Sequence, residues 1–201
     1  MTRIVGVPEK DAGLLGRFAY RFSRRRFGKV PEPVRVTAHH GKVLLGMGAM
    51  ELALERSDLV DARLKKLAEM KVALVVGCEF CVDIGSMLGK GLGITDGQLR
   101  ALPRFRESDA FSSVEKLVLE YAAGMTRTPA VVPDRLFGEL REYFDEAQMV
   151  ELTAAIAWEN QRARFNHALG MGYQGFSEGS YCLLPEVPGK GSRHEREDAR
   201  W

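Results

Sequence analysis

Between Asp61 and Val76 the apolar side chains Leu64, Leu67, Met70 and Leu74 return every three or four positions, the period of one helix face. The same spacing recurs along the chain, and no stretch sustains the alternation of a half-buried strand. Hydrophobic residues make up 45% of the 201 positions but aromatics only 8%, a balance that favours packed helices over a sandwich. The expectation is an all-α chain, long enough for one domain with an appendage.

Residues 12 to 27 place Leu14, Leu15, Phe18 and Phe22 at helical spacing beside Arg24, Arg25 and Arg26; this is an amphipathic helix with a basic solvent face. Pro31 and Pro33 interrupt it, because proline cannot continue a helix. Residues 34 to 55 form the next helical stretch, weakened by Gly41, Gly46 and Gly48 and terminated near Ser57 or Asp58. Asp61 is placed to cap the following helix, and Gly77 interrupts that helix just before Cys78. A helix through the cysteines ends in Gly-Lys-Gly-Leu-Gly, and a short one starts at Thr95. Further helices are expected from Ser113 to Met125, from Pro133 to Phe144, and through a segment beginning Asp145-Glu146 that runs about seven turns. A weak internal echo aligns Leu64 with Met149, Lys66 with Glu151, Leu67 with Leu152 and Cys78 with Ala163, the mark of two related helical halves. The organisation expected is an N-terminal helix and linker over 1–33, a helical domain over 34–184, and an extended polar tail over 185–201.

A formal charge of +2 gives no strong field for nucleic acid. No apolar run approaches the ~18 residues a membrane span needs, and the first residues lack the apolar core of a secretory signal. A soluble, cytoplasmic protein is expected.

Cys78 and Cys81 form a Cys-x-x-Cys, with Cys182 left over far along the chain. In a reducing compartment such a pair serves redox chemistry or a metal more often than it staples a fold. If Cys78 opens a helix, Cys81 lies one turn on along the same face, a spacing that permits a disulfide. The helix N-terminus then favours a thiolate, against which Glu79 works. A metal site needs four ligands, and no second cysteine pair is present. Two inert buried cysteines are the third alternative.

The segment from Leu64 to Leu102, with an apolar helix running into Gly-Cys-x-x-Cys and then a Gly-x-Thr-Asp helix start, resembles the carboxymuconolactone decarboxylase and alkylhydroperoxidase D family. The likeness continues through the segment from Tyr121 to Gly170 and covers about residues 34 to 172. It implies an all-helical fold of two related halves and a homo-oligomer, a trimer or hexamer. It also implies a thiol-dependent peroxidase or disulfide oxidoreductase that takes a hydroperoxide and a dithiol electron donor, with Cys78 and Cys81 catalytic. No cofactor or metal is implied. The alternatives are a non-catalytic oligomer that binds a small ligand, and a decarboxylase-type enzyme of the same family.

Two positions depart from the family's redox pattern. A relay histidine four residues past the second cysteine is replaced by Gly85, and a relay glutamate twelve before the first cysteine by Lys66. Glu69, one turn closer to the cysteines than Lys66, is the candidate replacement; its bland alternative is a surface pair with Lys65. Asp83 is expected to face solvent or another subunit, and Lys66 could favour a thiolate without relaying protons. His39, His40 and His167 could reach the site only through the fold. Restoring the histidine, Gly85→His, is expected to raise the rate if the helix accepts it.

Overall fold

The computed structural model describes residues 2–177. Those residues form nine α-helices and two 3-10 turns, with no strand among them. The helices are α1 (Leu14–Phe27), α2 (Glu32–Thr37), α3 (Gly41–Arg56), α4 (Ala62–Val76), α5 (Glu79–Gly91), α6 (Asp96–Ala101), α7 (Ser113–Thr126), α8 (Asp134–Arg141) and α9 (Glu146–Ala168). The all-helical expectation holds. The tail over 185–201 and Cys182 lie outside the described residues.

α4 is the central element. It starts where Asp61 accepts hydrogen bonds from the N–H groups of Arg63 (2.9 Å) and Leu64 (3.1 Å), the N-cap that its position predicts. Its buried set is wider than one stripe: Leu67, Ala68 and every residue from Met70 to Leu74 are buried, because α5, α7 and α9 all pack on it. One side of α4 joins Val72 to Val118, Ala122, Leu140, Leu152 and Ile156 from α7, α8 and α9. The other joins Met70, Ala73 and Leu74 to the two cysteines, Phe80, Ala163, Met171 and Phe176.

The stretch expected as one helix over 34–55 is two. α2 ends at Thr37, and α3 begins after His40, whose Nδ1 accepts the N–H of Val43 at 3.3 Å. α3 has no buried residue although it carries Val43, Leu45 and Met50. In α1 the expected apolar face is corrected: Leu14, Leu15, Phe18 and Phe22 are exposed, and Gly16, Tyr20 and Ser23 are buried instead, the side on which Arg35 of α2 and Ala38 lie against Tyr20 and Gly16. Tyr20 is fully buried with its hydroxyl donating to Val7 O at 2.7 Å, while Arg24 pairs with Glu9 and Arg26 with Glu55. No described helix is long and apolar enough to cross a membrane.

Candidate active site

Gly77 places the cysteines. It sits in the left-handed region (φ 77°), where a side chain would be strained, and it ends α4 by donating to Ala73 O at 3.0 Å. The chain then turns at once into α5 with Cys78 as its N-cap, and Cys78 Sγ accepts the N–H of Cys81 at 3.2 Å. The Cα atoms of Cys78 and Cys81 are 5.3 Å apart and the sulphurs are bonded. Both residues are buried, Cys78 at 1% and Cys81 at 7% exposure.

Two elements close over the pair. From α9, the buried Asn166 donates its Nδ2–H to Cys81 Sγ at 3.4 Å. From the segment after α9, Met171 and Phe176 enter the same cluster, and the Phe176 ring meets Phe80 and Phe27 edge-on. Asp83 holds that segment down. Its carboxylate accepts the N–H groups of Gln174 (2.9 Å), Phe176 (3.0 Å) and Ser177 (2.9 Å), together with the Ser177 hydroxyl (2.8 Å). The expectation that Asp83 faces solvent or another subunit is therefore corrected. It is 1% exposed, and the chain returning from α9 is what covers it.

Glu69 lies in a different polar cluster. Its carboxylate pairs with Lys66 and, at 3.4 Å, with Arg162 of α9; neither sulphur is among its partners. Lys65, the bland partner, instead pairs with Glu151. Arg162 also pairs with Glu159 and with Glu51 of α3, and Glu51 accepts the indole N–H of Trp158 at 2.8 Å. The Arg162 Nε is buried with no hydrogen-bond partner. Burial acts to raise the Glu69 pKa, but Lys66 and Arg162 outweigh it and hold the carboxyl below its ordinary value. Burial likewise opposes the Arg162 charge, and Glu159, Glu51 and Glu69 overcome it, keeping the guanidinium protonated.

Glu159 behaves oppositely. Burial dominates and, with Glu69 and Glu51 adding to it against Arg162 and Lys66, raises its pKa from 4.5 to about 7. Between those values the folded chain holds a proton that the unfolded chain has released. The associated stabilisation is thus complete below pH 4.5 and is lost as pH rises to about 7. The lowered Glu69 contributes with the other sign, gaining stability above its ordinary pKa and losing it in acid. Replacing Glu159 with Gln should flatten the fall in stability between about pH 5 and pH 7, a difference of about 2–3 kcal/mol at the upper end. Urea unfolding of both proteins across that range checks it; parallel pH curves would contradict the assignment.

The three described histidines stay away from the sulphurs. His39, His40 and His167 are all exposed, His39 bonding to Val5 O at 2.9 Å and His40 capping α3. No cluster of three or more His, Cys, Asp or Glu suited to a metal occurs among the described residues. Asn166 is not legible as a site residue from its local pattern, yet a signal exists. The offset that aligns Cys78 with Ala163 also aligns Cys81 with Asn166, and these two touch.

The fold and the site define an all-helical protein with a buried Cys-x-x-Cys disulfide at a helix start. Residues 42–124 match the carboxymuconolactone decarboxylase family, and the chain belongs to that family. It is 37% identical over 166 residues to YnjA of Escherichia coli (strain K12), an uncharacterised protein, spanning 81% of this chain and 87% of that one. Its fold is similar to that of the debrominase Bmp8 (TM-score 0.78, 20% identity, 88% of this chain and 95% of that one). It is also similar to a peroxidase-related protein with an alkylhydroperoxidase AhpD core from Ralstonia eutropha JMP134 (TM-score 0.80, 15% identity, 89% and 96%).

Proposed function

We propose that the chain is a thiol-dependent oxidoreductase that cycles Cys78 and Cys81 between disulfide and dithiol, with a hydroperoxide as oxidant and a cytoplasmic dithiol as electron donor. The observation that supports it is the position of Cys78 at the N-cap of α5, its sulphur accepting the Cys81 N–H and bonded to Cys81 Sγ. Backbone N–H groups at a helix start stabilise thiolates of the first turn, and of two thiols one turn apart one attacks the oxidant while the other closes the disulfide. Glu69, held ionised by Lys66 and Arg162, serves as a charge partner in this reading.

Turnover of cumene hydroperoxide with a dithiol donor tests the proposal. Cys78→Ser and Cys81→Ser should each fall to the uncatalysed background. Equal rates in wild type and both variants would overturn it. A brominated pyrrole belongs in the same substrate panel, since the debrominase Bmp8 has been seen in complex with 2,3,4-tribromopyrrole. Turnover of that compound alone would replace the hydroperoxide as the substrate.

The proposal includes a homo-oligomer. Val43 and Leu45 on α3, Phe137 on α8 and Val150 on α9 are exposed apolar side chains, and the Phe137 and Val150 side chains line a shared groove with Met149 and Ala157. Burying such patches is favourable by ~25 cal/mol per Å². Light scattering at micromolar concentration should return at least a trimer, and a monomer would contradict this part.

A further inference from the structure

We propose that Asn166 is a catalytic residue of the cysteine pair, its carboxamide N–H stabilising negative charge on Cys81 Sγ whenever the disulfide is open. The inference builds on the thiol chemistry proposed above and names the group that serves the Cys81 sulphur. Asn166 is buried on α9, with Nδ2 3.4 Å from Cys81 Sγ. Its own carbonyl accepts the Met171 N–H at 3.0 Å, so the residue is fixed by its backbone at the end of the helix. The two sulphurs thus have separate donors: Cys78 Sγ takes the Cys81 N–H, and Cys81 Sγ takes Asn166.

A hydrogen bond to the charged form lowers a thiol pKa, and a carboxamide neither gains nor loses a proton across the working pH range. Asn166 therefore stabilises the thiolate but does not relay its proton. In the reaction, the Cys81 thiolate attacks the terminal oxygen of a hydroperoxide. The O–O bond breaks, the alkoxide takes a proton and leaves as alcohol, and Cys81 becomes a sulfenic acid. Cys78 then attacks that sulphur, and the hydroxide expelled leaves as water with the Cys78 proton. The dithiol loses two electrons, and the peroxide gains them.

The test reads each thiol separately in reduced protein, by the pH dependence of iodoacetamide labelling resolved by peptide mass spectrometry. Asn166→Ala should raise the Cys81 pKa by about one unit. Asn166→Asp, which keeps the side-chain volume and sets a carboxylate against the sulphur, should raise it further. The Cys78 pKa should move less in both. Asn166→Asp keeps the comparison available if the smaller side chain disturbs packing, with helical content followed by circular dichroism. An unchanged Cys81 pKa in the folded variants, or a shift confined to Cys78, would overturn the assignment. No substrate enters this measurement. A Cys81 pKa that depends on Asn166 in a protein that turns over no hydroperoxide would overturn the peroxidase reading and leave the role of Asn166 standing.

Discussion

Asp83→Ala is expected to release the segment from Met171 to Ser177 from α5 and to open the disulfide to solvent. The carboxylate accepts three backbone N–H groups and one hydroxyl in a site where it is 1% exposed. Hydrogen bonds to a charged acceptor contribute about 1.5–3 kcal/mol each, and a buried N–H left without a partner costs a further 1–3 kcal/mol or so. The segment escapes part of that cost by undocking into water, so the expected global loss is about 3–4 kcal/mol. Undocking also uncovers Phe176, which packs on Phe80 and Phe27 and beneath the Lys29 ammonium (4.1 Å). Two measurements follow this change. Amide exchange at Gln174, Phe176 and Ser177 should lose protection, and reduction of the disulfide by a bulky thiol should accelerate by at least tenfold. Asp83→Asn, which keeps one acceptor oxygen, should fall between the two. Wild-type exchange at these amides in Asp83→Ala would show that the segment is held by its apolar contacts instead.

Gly85→His is expected to destabilise the chain by crowding Met70, the condition on which the expected gain in rate depends. A Cβ at position 85 would stand 2.4 Å from Met70 Sδ, and Met70 is itself 1% exposed in the middle of α4. Even alanine requires Met70 to move. Overpacking a well-filled core costs about 1–3 kcal/mol, and an imidazole buried without a partner adds roughly 1–3 kcal/mol more. A side chain at this position therefore requires Met70 to move. Thermal unfolding of Gly85→His and of Gly85→His with Met70→Ala checks the cause. The second substitution should recover a substantial part of the loss, and a Gly85→His protein as stable as wild type would contradict the packing account.

What the sequence discloses and what it hides divide along a physical line. Local signals are legible. Asp61 caps α4, Thr95 and Ser112 open α6 and α7 with capping boxes, and Gly77 ends α4 in the left-handed region, because each acts within a few residues of its own chain. The Cys-x-x-Cys is legible for the same reason. The break between α2 and α3 is less so, since Ala38 to His40 contain neither proline nor glycine and the cap comes from a histidine. Groups whose partners lie far along the chain are hidden. Asp83 is answered by residues 91–94 positions later, and Cys81 by Asn166, 85 positions later. Glu69 shows the limit of a helix wheel. Lys65 and Lys66 are both within reach in sequence, and only the packing of α9 against α4 turns Lys65 to Glu151 and leaves Glu69 to Lys66 and Arg162.

The central claim is that Cys78 and Cys81 exchange two electrons as a pair within one chain. Equilibrating the protein in dithiol and disulfide buffers of graded potential, trapping free thiols by alkylation and reading the peptides by mass spectrometry tests it most directly. The expected result is one two-electron transition that converts the peptide linked through Cys78 and Cys81 into two alkylated thiols, with the link restored by hydroperoxide. Thiols at 78 and 81 that stay free after peroxide, or that link only between chains, would contradict it.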